Sequence, residues 1–515
     1  MHDPTLPDLI AVHAAARPAA TALIFDGRRT SYAGLDQMMG RLAGALIAAG
    51  IRPGDRIAYL GKNSDAYFIL LLAAARVRAM VVPLNWRMAA AELAGLMADC
   101  TPSLLFATPD FMDRAAVLAG TCPVLSTESG EVPGLWDWAT RDAGASPGAP
   151  SWVDDPVLLL YTSGTTGRPK GVMLSHRNLL RVRDGVCLTE PDWFTWTPGE
   201  VALVSMPCFH IGGTGQGLRA LKGGATLLVQ REFEVEAILR AVGEHRVTKL
   251  FLVPSAIQSV IRHPLAAQTD FSCLRHVLYG ASPIPEELLR AAMERFGCGF
   301  VQMYGMTETS GTVAALSPED HLSPDRARLR SAGRALPGID IAILDGNGRP
   351  LPAGTVGEIA VRSVANTAGY WQMPAETAAL QADGWLRTGD AALMDDQGYL
   401  FIQDRLKDMI ISGGENIYPA EVENALFGHP DVADVAVVGV PDPRWGEAVK
   451  AVIVPKPGCT PDPAGLIEWA RGRIAGYKLP KSIDFAEALP RSAAGKVLRR
   501  DLRERYWAGH SRRVN

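Results

Sequence analysis

Through most of its length the chain alternates short, wholly apolar runs with amphipathic stretches, and few folds tolerate that alternation. VVPL (81–84), PVLLLY (156–161), VALVSM (201–206), KLFLV (249–253) and HVLYG (276–280) read as strands buried on both faces. Between them, Ala89–Asp99, Val235–His245 and Pro285–Phe296 carry helical periodicity, the last opening on proline and then acidic residues. The expected class is α/β, with mixed and largely parallel sheets flanked by helices. Near residue 340 the texture shifts to short strands punctuated by Gly and Pro, with DGNG (345–348) as a hairpin signal, so a β-rich subdomain is expected there. A second shift falls at Asp404–Asp408. Beyond it lie a helix from Pro419 to Leu426, the runs ADVAVVGV and AVKAVIVP, and a helix from Pro463 to Ile474. That reading divides the chain into a large domain, 1–404, and a small α+β domain, 405–515.

Composition narrows the function classes. A net charge of −4 gives no general attraction to nucleic acid or anionic lipid. Basic residues near the C-terminus (Arg499, Arg500, Arg503, Arg505) fit a solvated helix face. The longest apolar run, Ala66–Ala75, is too short to span a bilayer, so no transmembrane segment is expected. The first residues, MHDPTLPDLI, lack the basic and apolar blocks of a secretory signal. Seven cysteines, odd in number and without a CxxC pair, offer neither a disulfide framework nor a zinc site. A cytoplasmic location is expected.

The segment YTSGTTGRPKG (161–171) combines three glycines, four hydroxyl residues and Lys170. A Walker loop needs two glycines four residues apart, followed at once by Lys and Ser/Thr and by a helix. Here the glycines are too close, Pro169 precedes the lysine and Gly171 follows it. The flanking runs 157–160 and 171–174 both read as strands, and Ser175 as the N-cap of a helix through Arg177–Arg181. Phosphate would then be held by loop amides, hydroxyls and Lys170 with no helix dipole directly behind them.

YTSGTTGRPKG resembles the signature loop of the adenylate-forming superfamily, and further matches follow in that family's order. They are Tyr304-Gly-Met-Thr-Glu308, Thr388-Gly-Asp390, Asp404-Arg-Leu-Lys-Asp408 with the Gly413-Gly414 loop, and Pro490-Arg-Ser-Ala-Ala-Gly-Lys496. MPCFHIGG (206–213) matches the segment lining the acyl pocket. The resemblance spans nearly the whole chain and is nearest the acyl-CoA synthetase branch, with its 4-coumarate–CoA and benzoate–CoA ligase-like members.

The resemblance implies a nucleotide site formed by Thr162, Ser163, Gly164, Thr165, Thr166, Gly167, Lys170, Gly280, Ala281, Ser282, Tyr304, Gly305, Thr307, Asp390, Arg405 and Lys496. Tyr304 would stack on adenine, and Asp390 would accept from both ribose hydroxyls. Glu308, with Thr162, would hold Mg²⁺. Lys496 would be the catalytic lysine of the small domain, which swings about Lys407 and brings Gly413, Gly414, Trp445 and Lys478 to coenzyme A. Phe209, His210, Gly212, Gly280 and Gly305 would line the acyl pocket, with His210 as a wall or gate. Phe209-His210 in place of an aspartate argues against an amino-acid substrate, while Gly212, Gly213, Gly215 and Gly217 leave space compatible with a long or bulky acyl group. Arg219 keeps a diacid open. No carrier-domain sequence follows Lys496, so the expected acceptor is free coenzyme A. The expected reaction joins a carboxylic acid to coenzyme A with ATP and Mg²⁺, giving AMP and pyrophosphate. The acid is expected to be a medium- or long-chain fatty acid, with an aryl or arylpropenoic acid as the alternative. Loading of a separate carrier protein and luciferase-type oxygenation are the readings of other classes, and a homodimer is a family-level expectation.

Overall fold

In the computed structural model, residues 3–128, 134–141, 151–162, 169–282, 284–405, 408–412, 415–471, 473–491 and 496–508 are described. Two large sheets organise the greater part of the chain. One has nine strands and is centred on a parallel core of Val201–Val204, Lys249–Leu252, His276–Gly280 and Gly299–Met306. The other has seven strands, with Arg56–Leu60, Met80–Leu84 and Pro156–Thr162 running parallel. Among them are the apolar runs read as strands from the sequence, and buried aliphatic side chains fill both faces.

The apolar run at 66–75 is a helix, Asp65–Arg76, every residue of which before Arg76 is buried. It packs against elements of both large sheets, which explains why no face of it is polar. Ser64 caps it by accepting from the Tyr67 N–H. No helix among the described residues is long and apolar enough to cross a membrane.

The hairpin expected around DGNG is present. Asp340–Leu344 pairs antiparallel with Gly357–Arg362 in a five-stranded sheet that also holds Trp385–Met394 and Leu400–Arg405. After Arg405 the chain leaves this sheet, and at Ile410 it enters another whose long hairpin is Val432–Asp442 with Gly446–Pro455. The helices Pro419–Phe427, Pro463–Arg471 and Arg499–Trp507 cover that second sheet, which has its own apolar clusters. Arg405 therefore still belongs to the sheet of the larger part, one residue beyond the division expected from the sequence.

Candidate functional site

The parallel core of the nine-stranded sheet sets the site, because ligand-binding segments of such sheets follow the carboxyl ends of strands. His210 follows Val201–Val204, Ala281 and Ser282 follow His276–Gly280, and Thr307 and Glu308 follow Gly299–Met306. Thr162 ends a strand of the neighbouring seven-stranded sheet, and Asp390 comes from the five-stranded one. Three sheets thus converge on one cleft.

The phosphate-loop reading is supported at its edges. Pro156–Thr162 pairs antiparallel with Lys170–Ser175, Thr162 lies opposite Lys170, and the Ser175 side chain accepts from Asn178 N–H to cap the helix His176–Leu180. Ser163, Gly164, Thr165, Thr166 and Gly167 lie outside the described residues, as do Lys407, Gly413 and Gly414.

At the nucleotide end the polar groups hold one another. The Tyr304 hydroxyl donates to Asp390 Oδ2 at 2.7 Å, joining the two residues expected at adenine and ribose. Asp390 is buried, its N–H donates to Thr388 Oγ1 at 3.2 Å, and its backbone lies opposite Arg405 across the antiparallel ladder. Gly389 adopts φ +73°, which turns the chain so that its N–H meets Glu358 Oε1 at 3.0 Å.

Glu308 is buried in a single 3₁₀ turn, where the Tyr370 hydroxyl donates to its Oε1 at 2.9 Å. Lys170 Nζ sits 4.9 Å from the centroid of the Tyr370 ring, so one tyrosine links the loop lysine to the buried carboxylate. Tyr370 is also strand-paired with Val172, and the Trp371 N–H donates to Gly171 O at 2.7 Å. Tyr370 was not found from sequence; its local signal is only the run Gly369-Tyr370-Trp371, whose meaning depends on a partner sixty-two positions away.

Among the described residues no three His, Cys, Asp or Glu side chains gather as a metal cluster. Mg²⁺ does not need one, since it is commonly held by one or two carboxylates together with substrate phosphates and water. Glu308, one oxygen of which Tyr370 holds, fits that limited role.

The acyl end is built differently. His210 caps the helix Ile211–Lys222, and its ring meets Phe209 edge-on at 4.7 Å. Burial first, and then the positive charges of Lys496 and Arg87, push the His210 imidazole down to about 4, so it is neutral near pH 7. The charge of Lys496 is thus felt at His210. Lys496 lies within a segment whose ends are joined by an Arg491–Val497 bridge and by Leu498 N–H donating to Pro490 O at 2.8 Å. The helix after it is anchored by Arg499 to Glu423 (2.6 Å), Arg503 to Glu447 (2.9 Å) and Trp507 to Gly439 O (3.0 Å).

The glycines require a correction. A Cβ on Gly213 would lie 2.4 Å from Pro207 O, on Gly217 2.3 Å from the Phe68 ring, on Gly280 2.3 Å from Met303 O and on Gly305 1.8 Å from Gly311 O. Their missing side chains allow protein to approach protein and do not open room for a long chain. A Cβ on Gly212 would lie 2.9 Å from the Phe251 ring, and one on Gly215 would lie 3.5 Å from Ile211. Ala281, just past Gly280, adopts φ +70°, which costs an L-residue about 1 kcal/mol or more.

Two residues expected at coenzyme A lie on the small domain. Trp445 is exposed and stacked under Arg444, while Lys478 is ion-paired with Glu421 at 2.7 Å.

Comparison with known proteins agrees with this layout. The family described as AMP-binding enzyme matches residues 10–371, and AMP-binding enzyme C-terminal domain matches 421–496. A feruloyl-CoA synthase of Amycolatopsis sp is 43% identical over 490 residues, covering 95% of this chain and 96% of the relative. A fatty acid–[acyl-carrier-protein] ligase, ScoC, of Streptomyces coeruleorubidus is 39% identical over 518 residues, covering 100% and 99%. Among solved structures, ATP-bound MatB from Rhodopseudomonas palustris superposes with a TM-score of 0.86 at 31% identity, covering 98% of this chain and 99% of that one.

Proposed function

The chain belongs to the AMP-binding enzyme family, and we propose that it is an AMP-forming acid–CoA ligase acting on an acid with a compact, flat body such as an aryl acid. The observation that carries the ligase reading is the match of the chain to both AMP-binding enzyme domains, and the charge of Lys496, on the small domain, is felt by His210 at the head of the proposed acyl cleft. A carboxylate and an α-phosphate repel each other, and a single ammonium between them relieves both charges as the new bond forms. The acid's oxygen attacks the α-phosphorus, the bond to the β-phosphate breaks, and pyrophosphate leaves. The thiol sulfur of coenzyme A then attacks the acyl carbon, loses its proton and displaces AMP.

In this reading Asp390 accepts from the ribose, Tyr304 offers its face to adenine while its hydroxyl holds Asp390, and Lys170 clamps the departing phosphates. Mg²⁺, held on Glu308 and Thr162, would neutralise phosphate charge when bound. His210 stays neutral and walls the carbonyl from the side. Lys407 as hinge, and Gly413, Gly414, Trp445 and Lys478 at the thiol tunnel, remain part of the proposal.

The compact acid is favoured because Gly213 and Gly217 are backed by backbone and by Phe68, which removes the reason for a long chain. The names of the feruloyl-CoA and indoleacetate–CoA relatives lean the same way. A second reading, transfer to a carrier protein, is favoured by the ScoC relative alone. Incubation with ATP, Mg²⁺, coenzyme A and panels of aryl and fatty acids is expected to yield AMP and an acyl-CoA from aryl acids. Release of ADP would exclude the ligase mechanism; acyl-AMP formed but transferred only to a carrier protein would select the second reading.

A further inference from the structure

On the helix Ile211–Lys222, residues Ile211, Gly212, Gly215, Arg219 and Lys222 keep some accessible surface, while the intervening ones are buried. At 100° per residue these fall on one stripe, so the helix keeps one partly accessible face. The stripe begins beside His210, and across from it stand Phe251, facing Gly212, and Gly311, facing Ile211. Arg219 lies about 12 Å further along the axis than Ile211, by the ordinary helical rise.

Around Arg219 the charges do not balance. Arg181, Arg219 and Lys222 surround a single carboxylate, Glu190, whose side chain is 6% exposed. Arg181 takes Glu190 at 3.2 Å and Lys222 takes it at 3.3 Å. Arg219 has no carboxylate within ion-pair distance among the described residues; its guanidinium lies flat on Phe194, 3.6 Å from the ring centroid. Its Nη1 is buried with no hydrogen-bond partner. Burial, with the nearby Arg181 charge adding to it and Glu190 opposing it, draws the guanidinium down to about 9. Arg181 also donates to Thr312 O, one residue past Gly311, which ties the cluster to the strand lining the same cleft.

Three cations sharing one carboxylate leave positive charge in excess, which is costly at a buried site unless something supplies a further anion. We infer that the far end of the acyl cleft reads an oxygen acceptor on the substrate, a phenol, phenolate or second carboxylate, through Arg219. This rests on the ligase reading and narrows its substrate class to acids bearing such an oxygen at the end distant from the reacting carboxyl. A hydrogen bond to a charged donor in a site built for it discriminates strongly against an analogue that lacks the group.

The test uses matched acids differing only in that oxygen: 4-hydroxycinnamate against cinnamate, and azelate against nonanoate. Acid-dependent pyrophosphate exchange into ATP gives kcat/KM for each. The wild-type protein is expected to favour the oxygenated member of at least one pair by 10-fold or more. Arg219→Met is expected to reduce that ratio to about 2-fold or less, and Arg219→Lys, which keeps the charge but loses the planar fork, to an intermediate value. Each ratio is internal to one protein preparation, so partial loss of folded protein does not alter it. If Arg219→Met does not fold, the wild-type ratio and that of Arg219→Lys decide. Equal rates within both pairs in the wild type would overturn the inference and leave the ligase reading intact. A preference that survives Arg219→Met would overturn the role of Arg219. Exchange with no acid of either kind would remove the ligase reading, and this inference with it.

Discussion

The two ends of the cleft satisfy their polar groups by opposite means. At the nucleotide end, Asp390 is held by Tyr304, Glu308 by Tyr370, and Gly389 by Glu358, all before any ligand arrives. At the acyl end, His210 Nε2 and Arg219 Nη1 are buried without hydrogen-bond partners among the described residues. A site whose groups are already partnered is pre-organised and varies little with what it receives. One that leaves groups unpartnered is completed by its ligand and discriminates by that completion. The common part of the reaction is thus assigned to the first end and the choice of acid to the second.

The largest expected effect tests the shared step. Lys496→Ala is expected to lower acyl-AMP formation about a thousandfold while largely sparing thioester formation from supplied acyl-AMP. Equal loss in both half-reactions, followed by single-turnover chromatography, would break the separation of roles. Next, Asp390→Ala removes an ionised acceptor from the nucleotide end and is expected to raise KM for ATP about 10- to 100-fold, with the ratio between matched acids unchanged. A changed acid preference in that variant would show that the ends are not separate. Tyr370→Phe deletes one hydrogen bond to Glu308 and is expected to cost about 5-fold in kcat/KM for ATP, again equally for all acids.

The smallest effect concerns protonation. With its imidazole held at about 4, His210 carries no charge between pH 8 and 5.5, so no change in its nuclear magnetic resonance signals is expected over that range. Removing a neighbouring cation favours the protonated ring, so in Lys496→Ala the titration midpoint should move upward. An unshifted midpoint would mean that Lys496 does not approach the acyl end.

Much of the nucleotide end was legible because its residues lie in short local patterns. The strand–loop–strand setting of Lys170, the Ser175 cap and the DGNG hairpin each depend on neighbours a few positions away. Tyr370 was not legible, since its role arises only where a two-residue strand pairs with the strand after the phosphate loop. Arg219 was visible as an unexplained cation, but its imbalance depends on Glu190 being shared by Arg181 and Lys222. Gly213 and Gly217 were misread for a related reason. A sequence shows that a side chain is missing, and only the packing shows whether backbone or cavity takes its place.

The rung that joins Asp390 to Arg405 has a kinetic consequence. The chain departs for the small domain directly beyond that rung, so the proposed grip of Asp390 on the ribose and the start of the connection share one ladder. Reorientation of the small domain beyond it would leave the nucleoside stationary and exchange only the groups facing the acyl carbon. The adenylate should therefore remain committed between the two half-reactions: isotope-labelled acyl-AMP formed on the protein should pass to thioester without mixing with an unlabelled pool in solution.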